Sequence, residues 1–196
     1  MNKPERIFFT GVPGSRWSGI AQQIEEIPWM NTSDRIPERE YTHGEYSGHK
    51  GAYFGKDMEL HPILDAGYID QAWGNLNGTR LVKSHDWAYK LDDVYKFAKQ
   101  NKSWLMLVYR PDIPSFDWWK QAGGFNITYP SYSAYIDEEN MFLEIQKQNR
   151  HILEFSFKYD VEWSHFNRRW IKENFEYNLD IESNPKWSDI LVSILK

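Results

Sequence analysis

Ile7-Phe8-Phe9-Thr10-Gly11-Val12-Pro13-Gly14-Ser15-Arg16-Trp17-Ser18 is the stretch that decides the architecture. Residues 7–10 have the length and apolar character of a buried strand, and the Gly/Pro/Ser cluster after them reads as a tight loop. From Trp17 the apolar spacing changes: Trp17, Ile20, Ala21, Ile24 and Ile27 share one helical face. Strand, glycine-rich loop and helix in that order open an α/β unit, with a turn suited to an anion between the two elements. Working outward, residues 80–85 read as a second strand and 87–100 as an amphipathic helix with Leu91, Val94, Tyr95 and Ala98 on one face. Residues 104–109, apolar throughout, are expected as a central parallel strand, ended by Arg110-Pro111 and followed by a helix to Gln121. Further helices are expected over 61–73, 137–150, 162–175 and 186–195, and a fourth strand over 152–157. This alternation predicts one three-layer α/β domain over 1–196, its central sheet mostly parallel and flanked by helices. Two irregular, aromatic-rich excursions interrupt it at about 28–60, with a hairpin near 46–54, and at about 122–136. Segments of that kind inside a compact domain tend to carry function.

Composition narrows the chemistry. The chain has 196 residues, enough for one domain to bury a core without staples. Cysteine is absent, which excludes disulfides, a thiolate nucleophile and Cys-based zinc sites. The N-terminal apolar run is too short for a secretion signal, and no stretch has the length of a membrane span, so a cytoplasmic setting is expected. Net charge is -5, which argues against a broad nucleic-acid surface but not against one anion held by a few placed cations. Ten Trp residues could line a ligand pocket, although most are expected to fill the core.

Laid over the phosphate-loop pattern GxxxxGK[ST], the first loop matches at Gly11 and Ser18, whereas Arg16 stands at the second Gly and Trp17 at the Lys. The lysine and magnesium logic of a nucleoside-triphosphate enzyme is therefore unsupported. The backbone chemistry survives: N–H groups at a helix start, hydroxyls of Ser15 and Ser18, and the charge of Arg16 suit a phosphate, although Gly and Ser serving only as cap residues explain the loop equally well. In the second loop, Lys83 and His85 lie two residues apart at a strand end, on one face if the strand continues, where open α/β sheets bind ligands. A capped or core histidine is the bland alternative for His85.

At this point Lys83-Ser84-His85 resembles the Lys-Thr-His motif of the sulfotransferases that use 3′-phosphoadenosine 5′-phosphosulfate (PAPS), with Ser84 in place of Thr. The first loop is similar in position to that family's phosphosulfate cradle, except that Gly14 stands where a basic residue belongs. The strand ending in Arg110-Pro111 resembles the family's Arg-x-Pro strand end; Ser115 is a candidate for the accompanying Ser, whose family spacing falls on Trp118. The C-terminal Arg-Lys-Gly motif has no visible counterpart, Arg168-Arg169 being better read as surface charges.

The resemblance implies a P-loop NTPase-like fold and transfer of a sulfuryl group from PAPS to a hydroxyl or amine, releasing PAP. His85 would take the acceptor proton, Lys83 would touch the moving group, and Arg16 would replace the missing charge. Gly11, Pro13, Gly14, Ser15, Arg16, Trp17 and Ser18 would cradle the 5′ end, and Arg110 with Ser115 the 3′-phosphate. It implies no metal, and a small-molecule, glycan or peptide acceptor; the charge and hydropathy above give no nucleic acid and no membrane, and the aromatic, irregular excursions are where the acceptor is expected to bind. The rival readings are a kinase-like phosphotransferase and a noncatalytic binding module of the same shape. A metal hydrolase is disfavoured because His43, His49 and His61 lack helical ligand spacing. Glu45, Glu59 and Asp86 are alternative bases that no pattern singles out.

Overall fold

The computed structural model describes residues 3–33, 62–126, 136–179 and 188–196. The expected hairpin near 46–54, His43, His49, His61, Glu45 and Glu59 lie outside the described residues. The chain runs β1 (Arg6–Thr10), α1 (Trp17–Glu25), β2 (Met30–Asn31), α2 (Ala66–Asp70) and β3 (Thr79–Lys83). A 3₁₀ segment (His85–Lys90) leads into α3 (Leu91–Gln100), then come β4 (Ser103–Tyr109), α4 (Asp112–Gln121) and α5 (Glu138–Lys158). β5 (Ser164–His165), α6 (Arg168–Phe175) and β6 (Leu191–Leu195) complete it.

One sheet carries all six strands in the order β2-β3-β1-β4-β6-β5. β1 pairs in parallel with both β3 and β4, and β2 is parallel to β3. β6 is antiparallel to β4, with Tyr109 opposite Leu191 and Leu105 opposite Leu195, and β5 is antiparallel to β6. The sheet is thus mixed rather than mostly parallel. Alternation along the strands feeds two cores. Ile7, Phe9, Leu81, Met106 and Val108 pack with α1 and α6, through Ile20, Ile24, Trp170 and Phe175. Phe8, Val82, Leu105 and Leu107 pack with α3 and α5, through Leu91, Val94, Met141, Ile145 and Ile152. With helices on both faces, the domain has the three layers expected. Among the described residues no helix is long and apolar enough to cross a membrane.

Four expected elements differ. The strand over 152–157 does not form; it is the last part of α5, a single helix from Glu138 to Lys158. Its buried residues, Met141, Ile145, Gln148, Asn149, Ile152, Phe155 and Ser156, recur every three or four positions, and no breaker separates Arg150 from Ile152. Asp137 caps its start by accepting from the Asn140 N–H at 2.8 Å. In place of the helix expected over 186–195, the described residues 188–196 carry β6; Ile190 just before it, and Val192 and Ile194 within it, alternate onto the α1 side, a period of two rather than 3.6. The helix over 162–175 shrinks to α6, because Asn167 caps Trp170 N at 2.9 Å and fixes the start there. The one over 61–73 shrinks to α2, similarly capped by Asp65.

Candidate functional site

Between β3 and β4 the chain crosses from one side of β1 to the other, which makes the C-terminal end of β1 the switch point where open α/β sheets bind ligands. The loop there is built by its own sequence. Ser15 N–H donates to the Val12 carbonyl at 3.0 Å, with Pro13 and Gly14 between them and Gly14 at φ 77°. Pro followed by Gly in that register is the pattern of a type II turn. A Cβ on Gly14 would sit 1.8 Å from the Ser115 carbonyl oxygen, so no side chain fits. This is the physical reason position 14 carries no basic residue: the start of α4 occupies the space.

Arg16 then takes a left-handed conformation (φ 64°, ψ 17°) and opens α1 without a side-chain cap. Left-handed backbone at a non-glycine residue costs about 1 kcal/mol, which the surroundings must over-determine. Part of the constraint is visible: the Arg16 guanidinium lies 4.0 Å from the centroid of the Trp118 ring. Burial holds its pKa below the ordinary value, and the neighbouring Arg110 adds to this while Asp189 opposes it. Two guanidinium groups therefore share this corner with one carboxylate. Arg110 donates from Nη1 to the Gly14 carbonyl at 3.2 Å and from Nε to Asp189 Oδ2 at 2.9 Å, with its Nη2 2.8 Å from the same oxygen. Ser15 Oγ is fully buried and makes no hydrogen bond.

His85 closes the opposite side. Ser84 N–H extends the β1–β3 ladder by donating to the Phe9 carbonyl, and Thr10 Oγ1 donates to the His85 carbonyl. The imidazole is 1% exposed, packs against the Trp17 ring at a 45° tilt with centroids 4.2 Å apart, and donates from Nδ1 to the Gly11 carbonyl. A carbonyl only accepts, so Nδ1 carries the proton and Nε2 is left as the basic nitrogen. Desolvation pushes the His85 pKa down to about 4, and the bond to Gly11 only partly offsets it. The ring is neutral at neutral pH.

Gly11, Pro13, Gly14, Ser15, Arg16, Trp17, His85, Arg110 and Ser115 thus meet at one strand end, with Ser18 half-buried in the first turn of α1. Lys83 does not join them. Its ammonium makes a 2.8 Å ion pair with Glu25, both side chains being buried. Glu25 ends the helix that Trp17 begins, roughly 12 Å along the axis. Ser115 Oγ donates to the Arg110 carbonyl at 3.1 Å, so it braces the strand end. Asp86 is buried beside His85, its N–H bonded to Ser84 Oγ. Arg168 and Arg169 are exposed on α6, where Arg169 pairs with Glu173. Sequence reasoning missed three participants: Glu25, Trp118 and Asp189. Only Trp118 left a signal, as the aromatic at a spacing where a Ser was sought. Comparison of the chain with protein families, with curated proteins and with solved structures finds no match in any of the three.

Proposed function

We propose that this chain is a PAPS-dependent sulfotransferase, a P-loop-like variant of the α/β fold whose 11–18 turn receives the phosphosulfate. The observation that carries the reading is the corner itself: two arginines flank a turn whose buried Ser15 hydroxyl lacks a partner, with a neutral imidazole across the Gly11 carbonyl. A tight turn in which only glycine fits at position 14, at the start of an α1 that lacks a side-chain cap from Arg16, suits a phosphate group.

PAPS would supply the sulfuryl group: its bond to the 5′-phosphate oxygen breaks as one to the acceptor forms, and PAP leaves. Ser15 Oγ and the first turn of α1 would hold the 5′ end, and Arg110 the 3′-phosphate. Arg16, oriented by Trp118, would offset charge on the leaving phosphate, a fixed electrostatic contribution. Lys83, expected at the moving group, instead has its charge engaged by Glu25. His85 Nε2 would accept the acceptor proton, its tautomer set by Gly11. A phosphotransferase using magnesium and a nucleoside triphosphate would need a lysine where Trp17 is buried against Phe9 and His85.

The burial of His85 favours a second reading, a domain that binds the nucleotide without turning it over. One experiment separates them: PAP titration and sulfuryl transfer to an acceptor panel, for wild type and His85→Asn, which keeps a donor for the Gly11 carbonyl. The first reading predicts PAP affinity within about threefold of wild type and a rate lower by about two decades. Unchanged turnover removes His85 as the base, and wild-type PAP binding with no transfer to any acceptor selects the second reading.

A further inference from the structure

Arg110 presents its Nε/Nη2 edge to a single carboxylate oxygen of Asp189, and that edge is the fork with which a guanidinium grips a phosphate. Its Nη1 donates to the Gly14 carbonyl. The two partners differ in what release would cost them. The Arg110 side chain is 12% exposed and anchored at the end of β4, whereas that of Asp189 is 35% exposed and sits in the turn entering β6. A carboxylate can swing from such a place into water more readily than the more buried arginine, which also holds the Gly14 carbonyl. Asp189 also offsets the repulsion between Arg16 and Arg110, so in the absence of ligand it does what an incoming anion would do.

We propose that Asp189 is an internal competitor for the anion site. It holds the fork of Arg110 when no nucleotide is bound, yields it to the nucleotide's 3′-phosphate, and returns to displace that phosphate when PAP must leave. The proposal rests on the sulfotransferase reading above and adds to it a residue that sets product affinity and release.

The test is PAP binding and dissociation kinetics with wild type, Asp189→Asn and Asp189→Glu, together with thermal unfolding with and without PAP. Asp189→Asn removes the charge at constant shape. It should bind PAP about tenfold more tightly, chiefly through slower dissociation. It should also melt at lower temperature than wild type without PAP and gain more from adding it. Asp189→Glu keeps the competing charge and should stay close to wild type. Asp189→Ser supplies the same comparison should the amide disturb the turn. Equal or weaker PAP binding by the neutral variants, with wild-type binding intact, overturns the proposal and makes Asp189 a brace for Arg110. Absence of PAP binding in every form, wild type included, overturns the sulfotransferase reading instead and takes this proposal with it.

Discussion

His85 shows how much of a residue's chemistry lies outside its sequence neighbourhood. A free imidazole titrates near neutrality, and spacing after a strand marks it as a possible base. The structure adds what spacing does not contain: the ring is enclosed by Trp17 and the turn, and burial pushes its pKa to about 4. The linkage follows in sign. Between about pH 6.5 and 4 the unfolded chain binds a proton at this residue that the folded chain refuses, so stability falls as pH drops through that window. The loss reaches on the order of 3 kcal/mol below it. Chemical denaturation from pH 7 to 4 should show this acid limb in wild type and a shallower one in His85→Asn; identical limbs would mean His85 is not the group that titrates. Lys83 teaches the complementary lesson. Its position two residues before His85 was legible, but the direction of its side chain was set by Glu25, 58 positions away in sequence.

Among elements, those made of local signals were legible. The turn at Val12–Ser15 follows from Pro13 and Gly14, and β1, α1, β3 and β4 follow from apolar period. The errors fell where period was ambiguous over a short run. Residues 152–157 look strand-like in isolation, yet they continue the helical face begun at Met141. The intolerance of position 14 was invisible for another reason, because the clashing Ser115 carbonyl belongs to α4. Gly14→Ala must move α4 or break the turn, and its positive φ adds strain. It should cost about 3 kcal/mol in denaturant unfolding and abolish PAP binding; a cost under about 1 kcal/mol would show that α4 gives way easily.

At the scale of the whole molecule, three α/β layers were legible from the alternation of strands and helices, whereas the mixed sheet was not. β6 enters beside the end of β4 and runs back along it, pairing Leu191 with Tyr109. That reversal delivers Asp189 to Arg110, a meeting of positions 79 apart that no local pattern encodes. The candidate site therefore depends on convergence: a turn from the start of the chain, an arginine from its middle and a carboxylate from its end. Calorimetric titration of PAP and of Mg–ATP into wild type and Arg16→Ala tests that convergence most directly. A sulfotransferase should bind one PAP per chain, show no comparable binding of Mg–ATP, and lose about tenfold or more of its PAP affinity in Arg16→Ala. Mg–ATP binding in preference to PAP, or PAP affinity indifferent to Arg16, would contradict it.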